Sequence, residues 1–200
     1  STWFSTGGGF DYSWSPDGKW FTLEFIGNRH DPYSDIGMVS AQGGKIINLT
    51  NSGYTSGSPR WVLDGNAILF ITERYGMRAH ASWGKNTTEA KKNDKKKGDN
   101  KEKSEEKKEE KVKDIVVELN NIEDRIVRLT PNSSDLGSAI ITKDGETLYY
   151  LSAFEGGYDL WKMNLRKKDT KLLHKMDAGW ANMEMDKDGK NLFLLGSNTM

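Results

Sequence analysis

Apolar residues in this chain come in short dense bursts rather than in helical stripes. Four bursts follow a polar turn ending in Asp-Gly: WSPDGKWFTLEFI (Trp14–Ile26), WVLDGNAILFIT (Trp61–Thr72), ITKDGETLYYLS (Ile141–Ser152) and MDKDGKNLFLLG (Met185–Gly196). The turn has a mechanism. Glycine tolerates positive φ, aspartate bonds its own backbone, and Pro16 pre-sets φ in the first copy. The burst behind each turn is rich in β-formers at consecutive positions. Both faces of such a strand are apolar, so it belongs in a sheet stacked between two others.

The pattern extends on both sides of the turn. Inner strands precede it: FDYSW (Phe10–Trp14), GSPRW (Gly57–Trp61) and NMEMD (Asn182–Asp186). After the burst, SDIGMVSA (Ser34–Ala41) and YDLWKMNL (Tyr158–Leu165) predict a third strand. GKIINLT (Gly44–Thr50) and DRIVRLT (Asp124–Thr130) predict a fourth. Four strands joined by tight turns make one blade of a β-propeller. The Asp-Gly pairs begin at 17, 64, 144 and 188, at intervals of 47, 80 and 44; without the 35 residues Lys85–Leu119 the long interval becomes 45. The fold class is therefore all-β, part of a β-propeller built from four-stranded antiparallel blades. Blades are expected at about 10–50, 57–130 and 137–175, with another starting at 182–200. The insertion 85–119 interrupts the second blade between its third and fourth strands, on the outer rim and on the face of the Asp-Gly turns. Propellers close with roughly four to eight blades, so residues 1–200 read as a piece of a longer chain.

Composition supports strands and turns, with 21 glycines and 7 each of Trp, Tyr and Phe. Twenty-nine basic residues balance 29 acids. Within Lys91–Asp114, 11 lysines meet 8 acids, and Val112 is the sole apolar residue. Such a tract cannot bury enough surface to offset chain entropy and is expected to be disordered or a frayed, solvated helix. Its mixed signs and the neutral total argue against nucleic acid as a partner. No apolar run reaches membrane-spanning length. The absence of cysteine excludes disulfides, Cys-type zinc sites and thiol catalysis.

Candidate chemistry is sparse. His30, His80 and His174 form no HExxH pair, and no G-x-S-x-G elbow occurs. His174 reads as a surface residue of a fourth strand. Gly7–Gly9 lack the GK[ST] of a phosphate loop. Glu184, Asp186 and Asp188 resemble half of an EF-hand loop, but Leu195 stands where the bidentate acid belongs, so a turn is the better reading. Trp14, Trp20, Trp61 and Trp161 recur in blade phase, as residues packing between sheets do. The loops joining second and third strands (Gly27–Ser34, Glu73–Gly76, Ala153–Gly157) share the face opposite the Asp-Gly turns. There Arg29, His30, Arg74, Arg78 and His80 could present positive charge to a peptide's carboxylate. Ordinary ion pairing with Asp31, Asp35 or Glu73 is the alternative. No metal and no cofactor is expected.

The repeat WSPDGKW…SDIGMVSAQGGKIINLT resembles the TolB-type, WD40-like propeller repeat. SPRWVLDGNAILFITERYGMRAHASWG (Ser58–Gly84), the Lys/Glu-rich insertion and ELNNIEDRIVRLTP (Glu118–Pro131) resemble the N-terminal propeller of tricorn-like serine peptidases of the S41 type. The sequence departs from that family where Lys85 leads directly into the charged tract. The resemblance implies a non-catalytic propeller that gates or binds peptides, or unfolded protein, for a PDZ and catalytic region elsewhere in the parent chain. No position here matches the family's catalytic motifs. It also implies the periplasm or cell envelope ahead of the cytoplasm, and allows a homo-oligomer. Two readings compete with it: a TolB-like propeller that binds other proteins without protease activity, and a propeller enzyme with a metal in its central channel. For the latter, the inner strands do not offer a convincing set of ligands.

Overall fold

The structure, a computed structural model, describes residues 11–27, 33–75, 79–84, 114–154 and 156–198. Its strands form three antiparallel sheets. Sheet 1 runs in the order β1 (Tyr12–Trp14), β2 (Trp20–Phe25), β3 (Asp35–Ser40), β4 (Ile47–Asn48). Sheet 2 is β5 (Ser56–Val62), β6 (Ala67–Thr72), β7 (Ala79–Gly84), β8 (Ile126–Arg128). Sheet 3 holds five strands, β9 (Asp135–Ile141), β10 (Thr147–Ala153), β11 (Tyr158–Asn164), β12 (Asp169–Met185) and β13 (Leu192–Asn198). β7 and β8 pair directly, Ser82 opposite Val127, although the charged tract separates them in sequence. The tract itself lies outside the described residues.

The Asp-Gly turns join β1 to β2, β5 to β6, β9 to β10 and β12 to β13, and three of the four are chemically the same. Gly18, Gly145 and Gly189 have φ of +67°, +70° and +71°. Two residues before the aspartate stands Ser15, Thr142 or Asp186, whose carbonyl accepts the glycine N–H at 2.8–3.0 Å. The side-chain oxygen of the same residue accepts a further backbone N–H, from Trp20 at 2.9 Å, Thr147 at 3.1 Å or Lys190 at 2.7 Å. Val62 occupies that place in the second copy and has no oxygen to offer. There Leu63 and Asp64 themselves take positive φ, +54° and +53°, and Asn66 N–H closes on the Leu63 carbonyl.

The bursts of β2, β6 and β10 are buried, as their composition predicts, whereas Phe193, Leu194 and Leu195 in β13 are exposed. In β6, Ile68 and Phe70 join Ile36, Met38 and Leu49 of sheet 1, with Trp20 and Trp61 packed alongside. Leu69, between them in sequence, points the other way and joins Leu136, Leu148, Tyr150 and Met163 of sheet 3, with Trp161 beside them. The period of two thus knits three sheets through one strand. Trp14 departs from the expected packing. It sits on the face of sheet 1 turned away from sheet 2, 53 % exposed, with its ring 5.3 Å from that of Phe21.

Two boundaries differ from expectation. First, the predicted fourth strand of the third blade and NMEMD of the next are one continuous strand, β12. Its start pairs with β11, its end pairs with β13 and lies against β9. The crossing is made at Asp177, φ +50°, whose carboxylate accepts the Gly157 N–H at 2.7 Å. Register shifts flank this point, and such bulges bend a strand. Second, the end of the insertion is docked rather than solvated. Asp114 pairs with Lys19 at 2.6 Å, and Ile115 N–H donates to Asp17 at 2.8 Å. The Ile115 side chain covers Gly65, and Val117 reaches the core between sheets 1 and 2. Extended backbone accounts for this: Ile115 and Val117 point in while Val116 between them is exposed.

Candidate functional site

The inner strands β5 and β9 and the end of β12 converge on an open cleft of about 340 Å³. It is lined by Ser58, Arg60, Ile71, Ser138, Ala181 and Asn182, among others. A second hollow of about 180 Å³ adjoins it and shares Ser58 and Ile71; Glu24, Thr55 and Glu73 complete its wall.

The shape comes from a bulge in β5. Gly57 stands opposite Ile71, yet Arg60, three residues on, stands opposite Leu69. The extra residue shifts the register of β5 against β6 between Gly57 and Arg60. Ser58, inside the bulge, has φ +53°, a left-handed conformation a side chain rarely adopts. Its hydroxyl donates to Asp11 at 2.8 Å. Ser134 and Ser152, deeper in sheet 3, satisfy one another at 2.6 Å. Ser138 does not share that arrangement: it is 8 % exposed, and its hydroxyl has no partner among the described residues.

Charge is divided along the two hollows. Arg60 is exposed in the larger one and pairs with no acid among the described residues. Asn182 uses its side-chain carbonyl to accept the Met183 N–H at 2.8 Å. Glu24 borders the smaller hollow. Burial pushes its carboxyl above the ordinary range, the Asp11 charge adds to the rise, and a hydrogen bond with Ser34 opposes both. Among the described residues no group of three His, Cys, Asp or Glu is placed to hold a metal ion.

Of the cations expected to face a peptide, Arg29, His30 and Arg78 lie outside the described residues, as do Gly7–Gly9. His80 pairs through its backbone with Ile71 in β7, its side chain lying outside the description. Arg74 is exposed beside Tyr75, its guanidinium 6.0 Å from the ring centroid. Arg128 approaches the same ring at 5.4 Å and donates to Ser133, which in turn donates to the Tyr75 carbonyl. Arg74 is thus held by an aromatic contact in a small rim cluster, apart from the cleft residues. His174 is exposed in β12, and Asp186 closes a turn. Sequence reasoning missed Arg60, Glu24, Ser138 and Asn182. The Ser-Pro-Arg of SPRW is the one local hint of an irregular strand, since Pro59 has no N–H for a ladder.

No protein-family model matches the sequence. Over 59 residues the chain is 39% identical to an uncharacterized peptidase of Bacillus subtilis, YuxL; the match covers 30% of this chain and 9% of that protein. The crystal structure of TolB from Acinetobacter baumannii superposes on 94% of the chain with a TM-score of 0.55 and 16% identity. That of the tricorn protease superposes on 93% with a TM-score of 0.64 and 12% identity. The chain spans 41% of that TolB and 20% of the tricorn chain. Stacked antiparallel sheets, inner strands gathered on a cleft and these likenesses together establish the fold: the chain is all-β, built of β-propeller blades similar to those of TolB.

Proposed function

We propose that the chain is a non-catalytic propeller module of a tricorn-like serine peptidase, gating or binding peptide substrates for a catalytic region it does not itself contain. The observation that carries this reading is the cleft of about 340 Å³ on the inner strands, whose wall holds an arginine and a buried hydroxyl that have no partner among the described residues. A fold shared with the tricorn protease and a local likeness to a peptidase-named protein support the association with proteolysis. Peptides or unfolded protein are the proposed partners, alongside the PDZ and catalytic domains of the parent chain. Arg29, His30, Arg74, Arg78 and His80 are proposed to steer them at the loop face. Likeness to TolB supports a place in the periplasm or cell envelope. Among the described residues no helix is long and apolar enough to cross a membrane.

The test has two arms. An active-site serine probe should leave the chain unlabelled, and fluorogenic peptides should stay intact. A labelled unstructured decapeptide with free ends should bind saturably in fluorescence anisotropy. Labelling by the probe would place chemistry in this chain and refute the reading. Absence of peptide binding would favour the second reading, a TolB-like docking propeller, which the coverage of 94% of the chain by the Acinetobacter structure supports.

A further inference from the structure

We infer that the groove along the β5 bulge recognises short peptides by both free termini, with the carboxylate at Arg60 and the ammonium between Glu24 and Glu73. This rests on the peptide-binding reading above and adds to it a ligand size and a polarity.

The two hollows adjoin at Ser58 and Ile71, which line both. One carries a cation that pairs with no acid among the described residues, the other carries two acids. Arginine's planar fork matches a carboxylate with two parallel bonds. Beside it in the cleft wall, Ser138 holds a hydroxyl that is more than nine-tenths buried and makes no hydrogen bond among the described residues. A buried polar group left unpaired costs about 1–3 kcal/mol, and a ligand carboxylate in the cleft would accept its proton. The amide donors of Asn182 supply a third contact of the same sense. All three are donors, so this end selects an anion.

At the other end both charged side chains in the wall, Glu24 and Glu73, are acids. Glu24 lies on the face of sheet 1 turned toward sheet 2, and a Cβ added to Gly57 would sit 2.7 Å from its carboxylate. The close approach to glycine presses this carboxylate against the bulge. Asp11 stands near enough to add its charge, and Glu73 is exposed across the hollow. The Asp11 charge acts on the Glu24 carboxylate, and a cation entering the hollow would offset it. An ammonium is the matching group, since it donates three hydrogen bonds and needs no fixed plane.

The separation sets the ligand length. Gly57 stands opposite Ile71 and Arg60 opposite Leu69, so they are separated by two steps of β6, about 7 Å at roughly 3.3 Å per residue. An extended peptide of about three residues spans the same distance. The walls between the two ends are small or aliphatic, Gly137, Ala139, Ala181 and Ile71, and leave room for a second backbone beside β5.

Isothermal titration of the whole chain with Ala-Ala-Ala in four forms tests this: free, N-acetylated, C-amidated and capped at both ends. The free tripeptide should bind, and each single cap should weaken binding roughly tenfold or more, as loss of a charged hydrogen-bonded contact does. Arg60→Gln should weaken the free peptide and abolish the effect of amidation while keeping that of acetylation. The double variant Glu24→Gln/Glu73→Gln should do the reverse. Arg60 is exposed, so its replacement leaves the fold intact, and the capping series on the unaltered chain decides independently of any variant. Equal affinity for free and doubly capped peptides would overturn this inference and leave peptide binding standing. Binding of none of the four, nor of the decapeptide, would overturn both.

Discussion

Leu148→Ala is the sharpest test of the stacked sheets. Leu148 lies in β10, is 0 % exposed, and packs with Leu69 of sheet 2 and with Leu136, Ala139 and Met163 of its own sheet. Its backbone pairs with Ile141 and Met163 on either side, so truncation to alanine leaves the ladder in place. The loss is then packing alone. Three carbon groups at about 0.8 kcal/mol each give about 2.4 kcal/mol of transfer energy. The unfilled space brings the total to about 3 kcal/mol, within the usual range of about 2–5 kcal/mol. At roughly 2–4 °C per kcal/mol for a chain of this size, the melting temperature should fall by about 6–12 °C. Urea unfolding followed by circular dichroism measures the energy, and a thermal scan measures the shift. Leu195→Ala is the control: Leu195 is 67 % exposed, and its loss should stay within about 0.5 kcal/mol. A loss below about 1 kcal/mol for Leu148→Ala would refute the packing of sheet 2 on sheet 3.

Three further outcomes follow from the structure. Gly37→Ala places a Cβ 2.6 Å from Ile46 Cγ2 and 2.8 Å from Phe25 Cδ1, so overpacking should destabilise the chain by about 1–3 kcal/mol in the same urea assay. Burial pushes the Tyr150 hydroxyl up to about 12; the unfolded chain ionises first, so stability is intact below pH ~10 and falls by roughly 2–3 kcal/mol by pH ~12, and Tyr150→Phe should remove that slope from the pH dependence of unfolding. Asp17, although desolvation opposes it, is held below the ordinary carboxylate range by hydrogen bonds from Ser15, Ile115 N–H and Lys19 N–H; Asp17→Ala should raise amide hydrogen exchange at Ile115 and at Lys19, with exchange in β10 unchanged.

The turns and the bursts were legible in the sequence because both obey local rules. Asp-Gly codes a positive φ whatever surrounds it, and apolar residues at consecutive strand positions demand cover on both faces. The adjacency of β7 and β8 could be inferred because the interval of 80 returns to the repeat length of 45 when the 35-residue insertion is removed. What escaped depends on geometry that composition does not carry. The β5 bulge shifts the register between Gly57 and Arg60, so the arginine's neighbours cannot be counted off by twos. Asp177 takes a left-handed φ without being glycine, which hides the crossing that makes β12 continuous. Ile115 and Val117 follow so many charges that they read as part of the tract, yet their alternation docks them. Ser138 lies in an ordinary inner-strand sequence, and that its hydroxyl has no partner among the described residues is visible only once the surrounding sheets are placed.

The central claim is that one sheet spans the charged tract, with β7 beside β8 although 41 residues lie between Gly84 and Ile126. The chain has no cysteine, so Ser82→Cys/Val127→Cys introduces a single possible intramolecular bridge. Directly opposed residues in an antiparallel pair hold their Cβ atoms about 4.5–5.5 Å apart, close enough to bridge with slight adjustment. Mild oxidation followed by tryptic digestion and mass spectrometry should recover one disulfide-linked pair of peptides from monomeric protein. Free thiols at both positions after oxidation of the folded chain would contradict the account.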